Sequence, residues 1–166
     1  MNLNLRELAL RGAPIELNGR LPLEEEVTGR NDIRVAGPLE ARLTARSDSG
    51  TAIVNGTLSA DLELICSKCL RAVSEKTEVP VTELFTLQRG IAERDEDVHL
   101  VHEEIVDLTP YLRDAFVVQL PMAAVCGQSC KGLCPVCGKD RNVESCGCVQ
   151  ERVDPRLAGL KDFFKS

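Results

Sequence analysis

At 166 residues with a formal charge of −6 and 43% apolar side chains, the chain is long enough for one domain with a buried core and a small appendage. Aromatics make up 3% and tryptophan is absent, so that core has to be aliphatic. The charge is uneven: residues 1–125 hold 13 Lys/Arg against 21 Asp/Glu, and residues 126–166 hold 7 against 5. This balance disfavours gripping nucleic-acid phosphates by charge alone, and it leaves only a local contact open.

Residues 1–10 (MNLNLRELAL) lack the basic, apolar and small-residue zones of a signal peptide, and no apolar run approaches a membrane span. The expectation is a cytoplasmic chain with no membrane partner.

The opening leucines Leu3, Leu5, Leu8 and Leu10, then Ile15 and Leu17, suggest a short strand or helix followed by a strand. The polar stretch over 24–30 reads as loop. Ile33, Val35, Gly37, Leu39, Ala41, Leu43 and Ala45 then take every second position, the period of a half-buried strand. Pro38 within that run points to an edge or a bulge. Ser47 to Gly50 signals a turn, and Leu58, Ala60, Leu62 and Leu64 alternate again in a return strand that runs into Cys66-Ser67-Lys68-Cys69. A third alternating run goes from Val73 through Val79, Val81 and Phe85, interrupted by Pro80. The first cysteine pair therefore falls at the tip of an antiparallel hairpin.

Residues 93–107 are acidic and read as loop with one short strand near Val98 to Val101. A helix follows, with Asp107 or Thr109 as cap, Pro110 in its first turn, and Leu108, Leu112, Ala115, Phe116 and Val118 or Gln119 on one face and its flank. Pro121 stops it. Residues 126–148 are rich in cysteine and glycine and poor in apolar periodicity, so burial cannot hold them together. Asp154-Pro155 with Leu157, Leu160 and Phe164 marks a last helix. The expected fold class is α+β, an antiparallel β-rich sheet or small barrel with one main helix, divided into residues 1–121 and a zinc-knuckle tail over 122–166.

Eight cysteines, Cys66, Cys69, Cys126, Cys130, Cys134, Cys137, Cys146 and Cys148, come in tight groups. Zinc prefers four soft ligands in a tetrahedron, and a CxxC turn aims two sulfurs at one centre. In Cys134-Pro135-Val136-Cys137-Gly138 the proline pre-bends the turn and the glycine accepts a positive φ. Eight ligands make two structural Zn2+ sites. Cys134, Cys137, Cys146 and Cys148 form a local knuckle, and Cys66 and Cys69 take Cys126 and Cys130. Disulfides, a redox-active CxxC and an iron–sulfur cluster are the competing uses of these residues. Structural zinc is favoured over them by the absence of an export signal and of a surrounding βαβ pattern.

His99, His102 and the acidic runs Asp95-Glu96-Asp97 and Glu103-Glu104 read as solvated surface. No phosphate loop, nucleophile elbow or Ser/His/Asp arrangement is present. Closed four-thiolate sites leave no coordination position for a small-molecule substrate, so an enzyme is not expected.

The tail has a characteristic order: Asp107-Leu108-Thr109-Pro110 and Leu112-Arg113-Asp114, then Leu120-Pro121-Met122, Cys126, Cys130 through Gly138, Cys146-Gly147-Cys148 and Asp154-Pro155-Arg156. With the Cys66/Cys69 pair this closely resembles the bacterial YceD family over about residues 58–160. One departure is Lys139-Asp140-Arg141-Asn142, where the family more often carries a neutral Asn-Leu-Asn-like run. The resemblance implies a role in the accumulation of large-subunit ribosomal RNA and hence in ribosome biogenesis. Low aromatic content and acidic charge argue against a base-stacking RNA reader. They favour a holder of a basic large-subunit ribosomal protein, or of a pre-large-subunit particle, with any ribosomal RNA contact indirect. The competing classes are a direct RNA-binding assembly factor and a zinc-ribbon interaction module of the transcription machinery.

Overall fold

The computed structural model describes residues 1–23 and 30–149. The loop expected over 24–30 and the last helix over 154–164 lie wholly or mostly outside those residues. In chain order the elements are β1 (Asn2–Asn4), α1 (Leu5–Arg11), β2 (Ile15–Leu21), β3 (Ile33–Val35), β4 (Leu39–Asp48), β5 (Thr51–Ile65), β6 (Ala72–Thr86), α2 (Arg89–Ala92), β7 (Val98–Leu100), β8 (Ile105–Asp107) and α3 (Thr109–Val118).

The architecture is α+β with a mixed, mostly antiparallel sheet. Strands β2, β4, β5, β6 and β7 lie side by side in that order, and β3 also pairs with β5. Among the named strand pairs of the described residues only β6–β7 is parallel, and β1 and β8 form a separate antiparallel pair. Among the described residues no pairing joins β2 to β7, so the ladder does not close on itself.

The opening leucines give both alternatives at once. Leu3 lies in β1, and Leu5 and Leu8 are buried on α1, which starts with the Asn4 side chain accepting from the Glu7 amide and ends at Gly12 with φ 62°.

The long alternating run does not form one strand. β4 faces Thr51–Ser59 of β5 and β3 faces Leu62–Leu64 on the same edge, with residues 36–39 opposite only Ala60 and Asp61. Two extra residues make a bulge at Gly37-Pro38, where proline has no amide to give the ladder. Because the excess is two, side-chain parity survives it, and Ile33, Leu39, Ala41, Leu43 and Ala45 are all buried. Gly56 of β5 lies opposite Leu43, and a Cβ there would come within 2.1 Å of the Arg42 carbonyl oxygen. A side chain at that position would push β4 off the sheet.

Pro80 does not interrupt β6, which pairs with β5 without a break from Ala72 to Thr86. Within a strand a residue's N and C=O face the same edge, and the Pro80 carbonyl accepts from Gln119 Nε2 at 3.0 Å. The missing donor therefore faces the helix side of β6, where no strand needs it.

The acidic stretch holds the expected short strand as β7 and a second one, β8, whose Ile105 and Val106 pair with Asn4 and Leu3, while the short helix α2 just before the stretch was not expected. Helix α3 begins as the Pro110 signal indicates, but Leu108 occupies the cap position and no side chain caps it there. Asp107 instead accepts from both the Thr109 hydroxyl and the Thr109 amide. These bonds, with the Met1 amino group 3.1 Å away, pull the Asp107 carboxyl down to about 2. Val118 is exposed, and the buried face consists of Leu112 and Phe116 with Leu108 before them.

Helices α1 and α3 share one core with the inner sheet face: Leu8, Leu112 and Phe116 belong to the same cluster as Leu43, Val54, Leu58, Val81 and Phe85. Phe116 is fully buried, so Phe116→Ala is expected to destabilise the chain by about 3–5 kcal/mol through lost burial and the cavity left behind. Urea unfolding monitored by circular dichroism measures it. A loss below about 1 kcal/mol would show that α3 is not part of this core. Among the described residues no helix is long and apolar enough to cross a membrane.

The β5–β6 hairpin sets the long axis of the sheet. Its tip carries Cys66 and Cys69, while α2 and β7 pack near its open end at Leu84–Thr86. Fifteen residues per strand separate the two ends by roughly 45 Å.

Candidate metal centres

Each CxxC turn is built the same way. The Leu70 amide donates to the Cys66 carbonyl and the Gly138 amide to the Cys134 carbonyl, at 2.9 and 2.8 Å. The Cys66 amide donates to Arg71 O, and the Cys134 amide to Lys139 O, both at 2.8 Å. In each turn the residue after the second cysteine is left-handed, Leu70 at φ 60° and Gly138 at φ 74°. Glycine takes that conformation freely, whereas leucine costs about 1–2 kcal/mol. The first turn therefore carries strain that the second does not.

Several contacts carry the tail to the hairpin tip. Arg30, paired with Asp32, donates to the Pro121 and Met122 carbonyls at 2.7 and 2.9 Å. Ala124 bridges in parallel to Cys66, its carbonyl accepting from both the amide and the hydroxyl of Ser67. Further on, the Leu133 amide donates to Lys68 O at 2.9 Å. Gly132, with φ 68°, sits so close that a Cβ would stand 2.9 Å from that same oxygen.

These attachments bring the eight cysteines into the two expected groups. The sulfurs of Cys66, Cys69, Cys126 and Cys130 lie within 4.8 Å of one another, and so do those of Cys134, Cys137, Cys146 and Cys148. Cys69–Cys126 and Cys66–Cys130 are 3.6 and 3.9 Å apart. Four sulfurs about 2.3 Å from a central ion would sit about 3.8 Å from one another, so the first set fits one tetrahedral ion. None of the eight is paired in a disulfide, and the 3.6 and 3.9 Å separations far exceed a disulfide bond of about 2.05 Å.

The amides around the sulfurs favour thiolate. The Cys66 thiol is pulled down to about 6, chiefly by the Cys126 amide 3.4 Å away, against the cost of burial. Cys134 is likewise pulled to about 6 by the amides of Cys137 and Val136. At Cys130 burial pushes the thiol up, but the Gly132 amide and its cysteine and asparagine neighbours outweigh it, and the net shift is downward. Four anions cannot share so small a space. Cys126, hydrogen-bonded to Cys130 and Cys69, is pushed up to about 12, and Cys148 is pushed to about 12 by Cys137. Cys146 rises too, mainly through Cys134. A dication removes this conflict and displaces the retained protons, so each cluster is suited to hold one.

His99 and His102 join neither cluster. The His99 Nε2 lies 2.7 Å from Glu83 Oε2, and its ring packs against those of Phe85 and Tyr111, which also touch each other. Asp95, Glu96, Asp97, Glu103 and Glu104 are all exposed on the turns before β7 and β8. Glu104 pairs with Arg6 at 3.2 Å. What the residue pattern did not disclose is the set of groups that join the tail to the tip and flank the first cluster: Arg30, Arg71, Asp140 and Asn142. They act across the fold, and the sole signal was the charged run over 139–142.

The molecule is thus an α+β protein with two four-thiol clusters of metal-binding geometry, one clamping the tail to the tip of a long hairpin and one closing the tail on itself. The profile of the family described as large ribosomal RNA subunit accumulation protein YceD matches residues 54–164, which include both clusters. The chain belongs to that family. Among its relatives, the uncharacterized protein YlbN of Bacillus subtilis is 31% identical over 151 residues, covering 90% of this chain and 88% of YlbN. An uncharacterized protein of Mycobacterium tuberculosis is 34% identical over 129 residues, 76% of this chain, and the match spans only 62% of that relative. A chloroplastic large ribosomal RNA subunit accumulation protein YCED homolog 1 of Zea mays is 38% identical over 61 residues, covering 36% of this chain and 20% of that protein. No solved structure matches the chain.

Proposed function

We propose that this chain is a non-enzymatic, cytoplasmic zinc protein that supports accumulation of large-subunit ribosomal RNA by holding a basic ribosomal protein until it meets RNA. The observation that carries the reading is the family match across the whole two-cluster region. Zinc is the ion because four thiolates in a closed tetrahedron suit it, and such a site has no position left for a substrate.

The holding surface is the acidic end of the sheet. Asp95, Glu96 and Asp97 precede β7, and Glu103 and Glu104 precede β8, all exposed at the end away from the cysteines. Charge complementarity would steer a basic partner to that end. Loss of the protein from the cell is expected to lower large-subunit relative to small-subunit ribosomal RNA, and pull-down at low salt is expected to recover a large-subunit ribosomal protein.

Salt alone cannot separate protein holding from RNA binding, since screening weakens both. Charge reversal separates them. Lysine at all five positions is expected to abolish capture of the basic protein while leaving ribosomal RNA affinity unchanged or stronger. Losing the Arg6–Glu104 pair is expected to cost at most about 1 kcal/mol of stability, because both partners are exposed. Undiminished capture with normal large-subunit levels would remove this surface from the account. Recovery of polymerase subunits instead would point to a transcription module.

A further inference from the structure

The run over 139–142 lies between the second and third cysteines of the tail knuckle, yet it reaches the other cluster. Asn142 accepts from the Lys131 amide through Oδ1 at 2.8 Å, while its Nδ2 donates to Asp140 Oδ1 at 2.6 Å and faces Cys130 Sγ at 3.6 Å. A carboxylate and a thiolate both need a donor, and the Lys131 amide needs an acceptor, so only this orientation of the side-chain amide satisfies all three. Asp140 in turn meets Nε of Arg71, two residues after the Cys66/Cys69 turn, at 3.2 Å. Cys130 of the first cluster is thus joined through Asn142 and Asp140 to Arg71 beside the hairpin tip, Asp140 and Asn142 being supplied by the loop of the second.

We infer that Asn142 is a positioning residue for the Cys66/Cys69/Cys126/Cys130 cluster, holding the Cys130 sulfur by a donated hydrogen bond from a loop that the second cluster orders. Metal in the knuckle fixes the loop between Cys137 and Cys146, and the fixed loop presents Asn142 to Cys130. The inference rests on the zinc reading. Groups that hydrogen-bond metal ligands commonly change metal affinity by about 10–100-fold when removed.

The test uses the full zinc-loaded chain, exposed to rising chelator in the presence of an alkylating reagent, with each cysteine followed by peptide mass spectrometry. In Asn142→Ala, Cys66, Cys69, Cys126 and Cys130 are expected to become reactive at about 10–100-fold less chelator than in the wild type. Cys134, Cys137, Cys146 and Cys148 should keep their wild-type midpoint. Asn142→Asp separates positioning from simple loop support. It keeps an acceptor for the Lys131 amide but turns an oxygen toward the sulfur, so it should be as weak as the alanine variant or weaker. Restoration by aspartate, or an unchanged first-cluster midpoint in both variants, would overturn the inference. So would a joint fall of both clusters, which would make Asn142 a folding residue of the tail. A wild-type chain alkylated equally with and without zinc would bring down the zinc reading itself, and the inference with it.

Discussion

Cys137→Ser is expected to unfold residues 131–149 while the sheet persists. Of the described residues from 122 onward only Gly132 and Cys134 are buried, so no aliphatic core holds this segment. Its order rests on a few backbone bonds, such as Gly138 to Cys134, Arg141 to Gly132 and Leu133 to Lys68. Structural zinc supplies on the order of 10–16 kcal/mol in small peptides near neutral pH, far more than those bonds. With one of four ligands lost, hydrogen exchange should show the amides of Cys134, Gly138 and Arg141 unprotected. Those of β5 and β6 should stay slow, because Leu58, Leu62, Val79 and Val81 are buried in a core without cysteine ligands.

Cys69→Ser is expected to break a different joint. Cys69 is buried at the hairpin tip, and its cluster draws two ligands from the tip and two from the tail. Losing it should release the tail from the tip, with protection lost at Ser67 and Leu133, whose amides cross that joint to Ala124 and Lys68. The knuckle should survive, since its four ligands lie within residues 134–148. Zinc content should fall from two ions toward one, with weak residual binding at the three remaining thiolates. Equal, global unfolding by both substitutions would show that sheet, joint and knuckle are a single cooperative unit.

How much of this was legible beforehand follows from the range of the forces involved. The alternation of Leu39 to Ala45 and Leu58 to Leu64 foretold the central strands, since burial of one sheet face imposes a period of two. The grouping of the cysteines was legible because eight ligands with tight spacings leave few partitions. The bulge at Gly37-Pro38 was visible only as a proline; its size depends on how β3 and β4 register on β5. Strand β8 was hidden because Ile105–Asp107 is too short for a period and finds its partner a hundred residues away in β1. Leu70 gave no sign of its positive φ, which is imposed by closing the turn on Cys66. Arg71 was equally silent, and Asp140 and Asn142 showed only as part of an unusual charged run, because their roles exist only once the tail has folded back on the hairpin tip.

The central claim is that both four-cysteine clusters hold zinc, and metal content of the purified intact chain tests it most directly. Elemental analysis set against protein concentration, with native mass spectrometry of the same sample, is predicted to give two zinc ions per chain and no visible absorption. One ion or none per chain, or iron with a visible absorption band, would contradict it.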